Sequence, residues 1–528
     1  MVLSIARVAA MLALGWLVLV GYRYVLARST VMGRVLGVAI VVRTVLGVAL
    51  FAISYLHLPI AESLQLGDGF WQPALDATGY YGRAATAADA GTLFEGPSAS
   101  PFYVDTLAVW MNVVGTSPAA GMFLNLCLYV AFMVSLVWFF RAVNDWRQDL
   151  PCIVVVTAYS FSPIALFYST QPLKDELFAV LVAMGCLSML GIGRLMYRST
   201  AGWQTRAVAA GTLAITVAIV AGGGIRWYYP AIIWCALALV FAVFAIFART
   251  TPLPRYVIGS AAVLLGTWLG FWAGAGPNYW ALAPDIHSIA EFPSRLIAFT
   301  QVSRAGFLTS GGGTNIIVPL RSDEAAGQVR SDQLRQASHD FSARITARRT
   351  GEAAPSPSAS QPAALSPPQP PPVPTGTQVP QPPPVRSASQ VDPFLAVPVT
   401  SSDHLGALAI GLGVVFVPFS LMQALLDIDI PGGQGLLVVA DADTIYMDIV
   451  TLVVLTLLWR RRAWIGERLP FVVFGLTLST VTALLLGYVV TNYGTLWRMR
   501  PLVTIPLWVL VVALSPRTRP AAGGHPET

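Results

Sequence analysis

The 528-residue sequence is short of charge. Asp, Glu, Lys and Arg make up only 11% of it while hydrophobic residues make up 55%, where an ordinary soluble domain carries roughly a quarter charged residues. That excludes a soluble globular protein, and it excludes disorder over most of the chain. Lysine is almost missing: of 32 basic residues only Lys174 is a lysine, so the net charge of +6 rests on arginines spread along the sequence. Arginines so dispersed make no basic patch, and no nucleic-acid partner is expected. A phosphate-cradling Walker loop needs a lysine after glycine, but Lys174 follows Leu173, which excludes direct ATP-driven transport. The five histidines (His57, His287, His339, His404, His525) and four cysteines (Cys127, Cys152, Cys186, Cys235) show neither His-x3-His nor Cys-x2-Cys spacing. No metal and no cofactor is therefore expected. The cysteines lie inside apolar runs, where a disulfide framework makes little sense, and the sequence has no Gly-x-Ser-x-Gly elbow to present a serine nucleophile.

Apolar runs are what the chain has instead. Eleven stretches reach the roughly 20 residues needed to cross a hydrocarbon core of about 30 Å, near 4–22, 35–56, 118–140, 151–169, 176–193, 207–224, 228–248, 257–275, 442–459, 470–490 and 501–515. The expected fold is an all-α polytopic membrane protein with about 11 transmembrane helices. The first run has a single basic residue, Arg7, near its start and no small-residue cleavage site, so it reads as a membrane helix and not a signal peptide. Lys and Arg accumulate in cytoplasmic loops. That places Arg23/Arg28/Arg34, Arg141/Arg147, Arg194/Arg198/Arg206, Arg249/Arg255, Arg460–Arg462/Arg468 and Arg517/Arg519 inside. The alternate loops carry aromatics such as Trp71, Tyr80, Tyr81, Trp227, Tyr228, Tyr229 and Trp497, as an outer interface belt does.

The N-terminus is then outside, and the chain divides accordingly. Residues 1–56 hold the first two membrane helices, 57–117 the first extracytoplasmic loop, and 118–275 the helix core. An extracytoplasmic region spans 276–441, C-terminal membrane helices 442–515, and a cytoplasmic tail 516–528. Within 276–441, the stretch 351–393 contains Pro370–Pro372 and Pro382–Pro384 and reads as a solvated polyproline spacer. The segment 405–426, interrupted at Pro418, reads as re-entrant or interfacial, and Ser310–Asn315 as a turn or a plain flexible connection. The arginine- and alanine-rich composition points to a bacterial inner membrane.

A charge at the bilayer centre costs at least about 2.5–3.5 kcal/mol, so ionisable groups at the outer helix ends belong at a watery surface. The first outer loop is the most acidic stretch, with Asp68, Asp76, Asp89, Glu95 and Asp105. Asp76, Tyr80 and Arg83, spaced i, i+4 and i+7, share one face of a helix. That face is either a site or the solvated side of an interfacial helix. Lys174-Asp175-Glu176 opens the fifth span, where acids suit a helix N-terminus or serve chemistry. Arg226, Arg498 and Arg500 bring guanidiniums to the same side; their forks fit phosphate oxygens or anchor at lipid headgroups. Arg43, eight residues into the second span, is expected to snorkel inward.

The order of these pieces resembles the GT-C superfamily of integral membrane glycosyltransferases, including protein O-mannosyltransferases and lipid A aminoarabinose transferases. The matching features are Asp76 followed by Tyr80 and Tyr81, then Ser162-Pro163 and Tyr168-Ser169 closing an outward span, then Lys174-Asp175-Glu176 opening the next. The resemblance covers roughly residues 60–250, with a weaker echo at Asn492–Arg500. Many relatives show a paired acidic motif in the first loop and a single preceding span, whereas here the nearest acid before Asp76 is Asp68 and two spans precede. The resemblance implies a polyprenyl-phosphate-linked sugar donor, a saccharide, lipid or protein acceptor, and an active site facing the extracytoplasmic side among membrane lipids.

Inverting transfer itself needs one carboxylate to deprotonate the attacking hydroxyl, because the polyprenyl phosphate departs as a stable anion. Positive groups near the phosphate stabilise the developing charge. The expected catalytic residues are Asp76 as base, with Asp175 positioning the acceptor or substituting for the base. Tyr80, Tyr81, Arg83, Lys174, Glu176, Arg226, Arg498 and Arg500 are the expected substrate-binding residues.

Two other readings fit parts of the sequence. A polysaccharide polymerase or assembly protein would share the arginine-rich outer loops, and Arg295 to Gly306 fits an Arg-x10-Gly spacing, though composition alone yields about three such matches. A transporter or lipid flippase would use buried polar groups to line a path, but usually shows repeated halves, which this chain does not.

Overall fold

The computed structural model describes residues 2–92, 100–140, 142, 144–196, 203–226, 229–247, 261–270, scattered positions between 408 and 421, and 434–460, 465–490 and 493–513. The polyproline stretch, the Ser310–Asn315 turn, most of the proposed re-entrant segment and the C-terminal tail lie outside the described residues.

The described residues are mostly helical. In order come α1 (Val2–Arg28), α2 (Thr30–Tyr55), a hairpin of β1 (Gln65–Gly67) and β2 (Phe70–Trp71), α3 (Asp76–Ala90) and α4 (Pro101–Val114). Then follow α5 (Pro118–Phe140), α6 (Trp146–Phe161), α7 (Pro163–Ser169), α8 (Asp175–Met196), α9 (Trp203–Ile225) and α10 (Tyr229–Phe247). A short helix at Ala261–Gly270 precedes α11 (Gln434–Arg460), α12 (Ile465–Val489) and α13 (Tyr493–Ala513). Among the described residues four helices are long and apolar enough to cross a membrane: α1, α2, α5 and α12. They become five if α6 and α7, bent by 55°, form one broken span. Each of the eleven apolar runs overlaps a helix among the described residues, but the count of about eleven spans is not confirmed.

Burial follows hydropathy from inside out. α1 turns Leu12, Trp16 and Leu17 outward, each more than half exposed, which an apolar surrounding tolerates and water does not. α8 and α13 sit at the centre, packing on each other; α8 also packs on α5, α9 and α12, and α13 on α6, α11 and α12. The expected loop 57–117 is largely ordered. Its hairpin turns on Asp68-Gly69, both at positive φ (+52° and +89°), with Gly67 paired to Phe70 across it. That is the two-residue connection whose backbone twist matches the strands, and Asp-Gly is its favoured sequence. The hairpin docks through Ser54 Oγ, which donates to the Phe70 carbonyl at 2.7 Å, and through Gln171 Nε2, which donates to the Gly69 carbonyl at 3.2 Å.

Connections assigned to one side by arginine placement meet each other. At one end, the Thr30 backbone N–H and hydroxyl donate to Asn144 Oδ1 at 2.9 and 3.2 Å. At the other end, the hairpin, the start of α3, the 170–174 turn, Arg226 and the first turns of α13 converge.

Candidate functional site

α7 ends at Ser169, and the turn that follows is fixed by Asn125, whose Nδ2 donates to the carbonyls of Ser169 (3.2 Å) and Gln171 (2.7 Å). This delivers Lys174 to the space beside α4 and puts Asp175 and Glu176 on the first turn of α8, where the helix dipole favours negative charge. The two acids part company. Asp175 Oδ1 accepts from Arg226 Nη2 at 2.8 Å, and its Oδ2 lies 3.0 Å from Arg498 Nε. Arg498 Nη2 reaches on to Asp76 Oδ2 at 2.9 Å. One guanidinium thus bridges two carboxylates that are distant in sequence, while Asp76, the first residue of α3, keeps 52% of its side chain exposed.

Around this chain of charges, Lys174 Nζ donates to Ser100 Oγ at 2.6 Å and lies 5.3 Å from the centre of the Tyr80 ring. Ser100 in turn donates to the Ile225 carbonyl at 3.0 Å, beside Arg226. Tyr103 meets Tyr80 edge-on at 5.3 Å. The Arg498 guanidinium lies 5.9 Å from the Tyr168 ring centre, and Arg226 lies 5.2 Å from that of Phe178. The mouth of the site is therefore aromatic on its walls and ionic at its floor.

Electrostatics follow from this packing. Burial pushes the Asp76 carboxyl up, but the Arg498 guanidinium pulls it down through charge and hydrogen bond, and Lys174 and Arg226 add to the pull; the net value is below the ordinary carboxylate value. Burial drives Lys174 down to about 7, with help from Arg226, against the opposing pull of Asp175 and Asp76. Burial raises the Tyr80 phenol to about 12, and the Asp76 charge adds to the rise. Asp76 is thus ionised at neutral pH, Tyr80 keeps its proton, and Lys174 titrates near neutrality.

Six expected site residues come together here: Asp76, Tyr80, Lys174, Asp175, Arg226 and Arg498. The other four have different surroundings. Tyr81 is buried against Phe70, ring centres 5.5 Å apart, and Arg83 lies exposed on α3. Glu176 Oε1 is 3.1 Å from Arg43 Nη1, and its Oε2 accepts from the Tyr159 hydroxyl at 2.6 Å. Arg500 Nη1 lies 3.7 Å from Asp443 Oδ2. Arg43 does not snorkel inward. It is buried, crosses to α8 to meet Glu176, donates to the Tyr159 carbonyl at 3.2 Å, and stacks over Tyr129 at 4.1 Å, because a partnered charge inside the helix bundle costs less than one dragged along its lipid face.

A cavity of about 30 Å³, room for about one water, lies between the two ionic groups, with Asp175 and Arg498 on one side and Tyr159 and Glu176 on the other. Sequence reasoning missed Ser100, Tyr103, Arg43 and Asp443. The signal for the last two was present, since an ionisable residue inside an apolar run demands a partner. Among the described residues no three His, Cys, Asp or Glu side chains gather into a metal-binding group. Comparison of the chain with models of known families, with curated proteins and with solved structures found no match.

Proposed function

We propose that the chain is an integral membrane glycosyltransferase, moving a sugar from a polyprenyl-phosphate donor to an extracytoplasmic acceptor by inverting displacement. The observation that carries this reading is the convergence of Asp76 and Asp175 with Lys174, Arg226 and Arg498 at one end of the helices. With Lys174 protonated, two carboxylates against three cations leave one positive charge over, which matches the single negative charge of a sugar phosphodiester. In the reaction Asp76 takes the proton of the acceptor hydroxyl as its oxygen bonds to the anomeric carbon. The bond from that carbon to the phosphate oxygen breaks, and its electron pair leaves on the phosphate. Arg226, Arg498 and Lys174 hold that anion, since fixed cations in a water-poor site stabilise developing charge more than solvent does. Asp175 holds the two guanidiniums in place.

On this reading α8, α9, α10, the helix at Ala261–Gly270, α11 and α13 also cross the membrane, giving about eleven spans in a bacterial inner membrane, while α3 and α4 stay in the outer loop. The site opens to the extracytoplasmic side, and the arginine asymmetry of the loops and the meeting of like loops at each end support that arrangement. The test is release of polyprenyl phosphate from a panel of lipid-linked sugars by purified protein. Wild type should release it in the presence of acceptor, and a folded Asp76→Asn should lose at least about 100-fold in rate, the scale of a missing general base. Full activity in Asp76→Asn would overturn the assignment of the base. Translocation of the intact lipid without bond cleavage would favour the transporter reading.

A further inference from the structure

Asp443 lies outside the site, on the first half of α11, yet it holds the two elements that place Arg498. Its side chain is almost fully buried. Oδ1 accepts from Ser162 Oγ at 2.6 Å and from the Ile164 backbone N–H at 3.2 Å. Ser162 is the break between α6 and α7, where the axis turns by 55°. Pro163 supplies no N–H there, and Ser162 Oγ itself caps α7 by accepting from Ala165 N–H at 3.2 Å. A helix start leaves several N–H groups without intrahelical partners, so a carboxylate from another helix satisfies one and fixes the direction in which α7 leaves the bend.

The far end of α7 bears Tyr168, whose ring faces Arg498 and whose hydroxyl donates to the Pro73 carbonyl at 3.5 Å, three residues before Asp76. The other oxygen of Asp443 faces Arg500 Nη1 at 3.7 Å, two residues along α13 from Arg498. Pro501 follows at once and removes the backbone hydrogen bond that would otherwise run back to Trp497. The turn carrying Arg498 thus has one ladder bond fewer, and the Asp443–Arg500 ion pair lies beside the gap.

We infer that Asp443 is a positioning residue: by gripping the α7 start and Arg500 together, it sets the reach of Arg498 across Asp76 and Asp175. The inference rests on the reading of that cluster as the reaction site, but its test does not need the reaction. Arg498 beside a carboxylate favours its charged form and moves its titration about 1–3 pH units lower, and Asp76 is exposed enough for water-soluble carbodiimide to reach. Full-length protein in detergent is labelled across a pH series, and Asp76 modification is read by mass spectrometry.

The midpoint in Asp443→Asn should rise by about one pH unit toward that of Arg498→Gln, with kcat for transfer down about tenfold. Asp443→Asn removes the first of the carboxylates that act on buried Arg500 and is prone to misfolding, so Asp443→Asn/Arg500→Gln, which removes both charges, is measured beside it and should show the same raised midpoint. Ser479→Ala, which loses a buried hydrogen bond from α12 to the Val503 carbonyl, serves as a destabilised control whose midpoint stays at the wild-type value. An unmoved midpoint in a folded Asp443→Asn or in the double variant overturns the inference. A raised midpoint together with no sugar release by wild type would instead sink the glycosyltransferase reading and leave the tether standing.

Discussion

At Asp76 two influences compete, and the arginine wins: burial favours the neutral acid, while Arg498 holds the carboxylate charged and below its ordinary range. Asp76, the proposed base, therefore stays ionised well into mild acid, and the acid limb of the rate profile should lie below the usual carboxylate value of about 4. In Arg498→Gln that limb should move up by about 1–3 pH units and the maximal rate should drop. A pH–rate series on wild type and variant checks both, and an unshifted limb would mean that Asp76 is not the titrating base. Lys174 works the other way. With its ammonium pushed down to about 7, it is charged below that pH and neutral above it, so affinity for an anionic donor should weaken as pH rises through 7. Donor KM measured between pH 6 and 9 should climb in wild type. Lys174→Gln should show a high, flat KM, and a KM that still climbs in that variant would move the effect to another group.

Among the elements, the β1–β2 hairpin is the part most exposed to a single change. Gly69 has φ +89° and faces the Phe51 ring so closely that an added Cβ would clash with the ring edge. Gly69→Ala should cost about 1–2 kcal/mol for the backbone and about 1–3 kcal/mol more for overpacking. Gly79 on α3 has open space around its Cα, so Gly79→Ala should stabilise by up to about 1 kcal/mol through helix propensity. Thermal unfolding of the two variants in detergent should move in opposite directions; a Gly69→Ala as stable as wild type would remove the hairpin's role in bracing the 170–174 turn.

Much of this architecture is written in local pattern. Hydropathy alone picks out the long helices, and Asp68-Gly69 between Leu66-Gly67 and Phe70-Trp71 is a hairpin signal in plain view. The pairing of charges is not local. Ser162 and Asp443 are 281 residues apart, and Asp76 and Arg498 are 422 apart. No periodicity links such positions, so Arg500 joined the substrate ligands by chemistry although its nearest acid is Asp443. Arg43 likewise read as a cation snorkelling inward because Glu176, its partner, lies on a different helix.

At the scale of the molecule, the arrangement predicts which surfaces face which compartment. In a background with the four native cysteines replaced, Gly79→Cys on α3 and Gln148→Cys near the start of α6 are both at partly or fully exposed positions, near opposite ends of the structure. A membrane-impermeant maleimide added to intact cells should label Gly79→Cys at once and Gln148→Cys only after permeabilisation. The reverse order would invert the orientation and place the charge cluster in the cytoplasm. The cluster's long sequence span also has a consequence in time. At about 5–20 residues per second of synthesis, Arg498 is made roughly 20–80 s after Asp76, given the 422 residues between them. Throughout that interval a nascent chain already in the membrane presents the carboxylate without the arginine that anchors its partner anion. Under the proposed function, competence to bind donor is thus acquired late in translation, and chains stalled before the last described helix should reach the membrane inert.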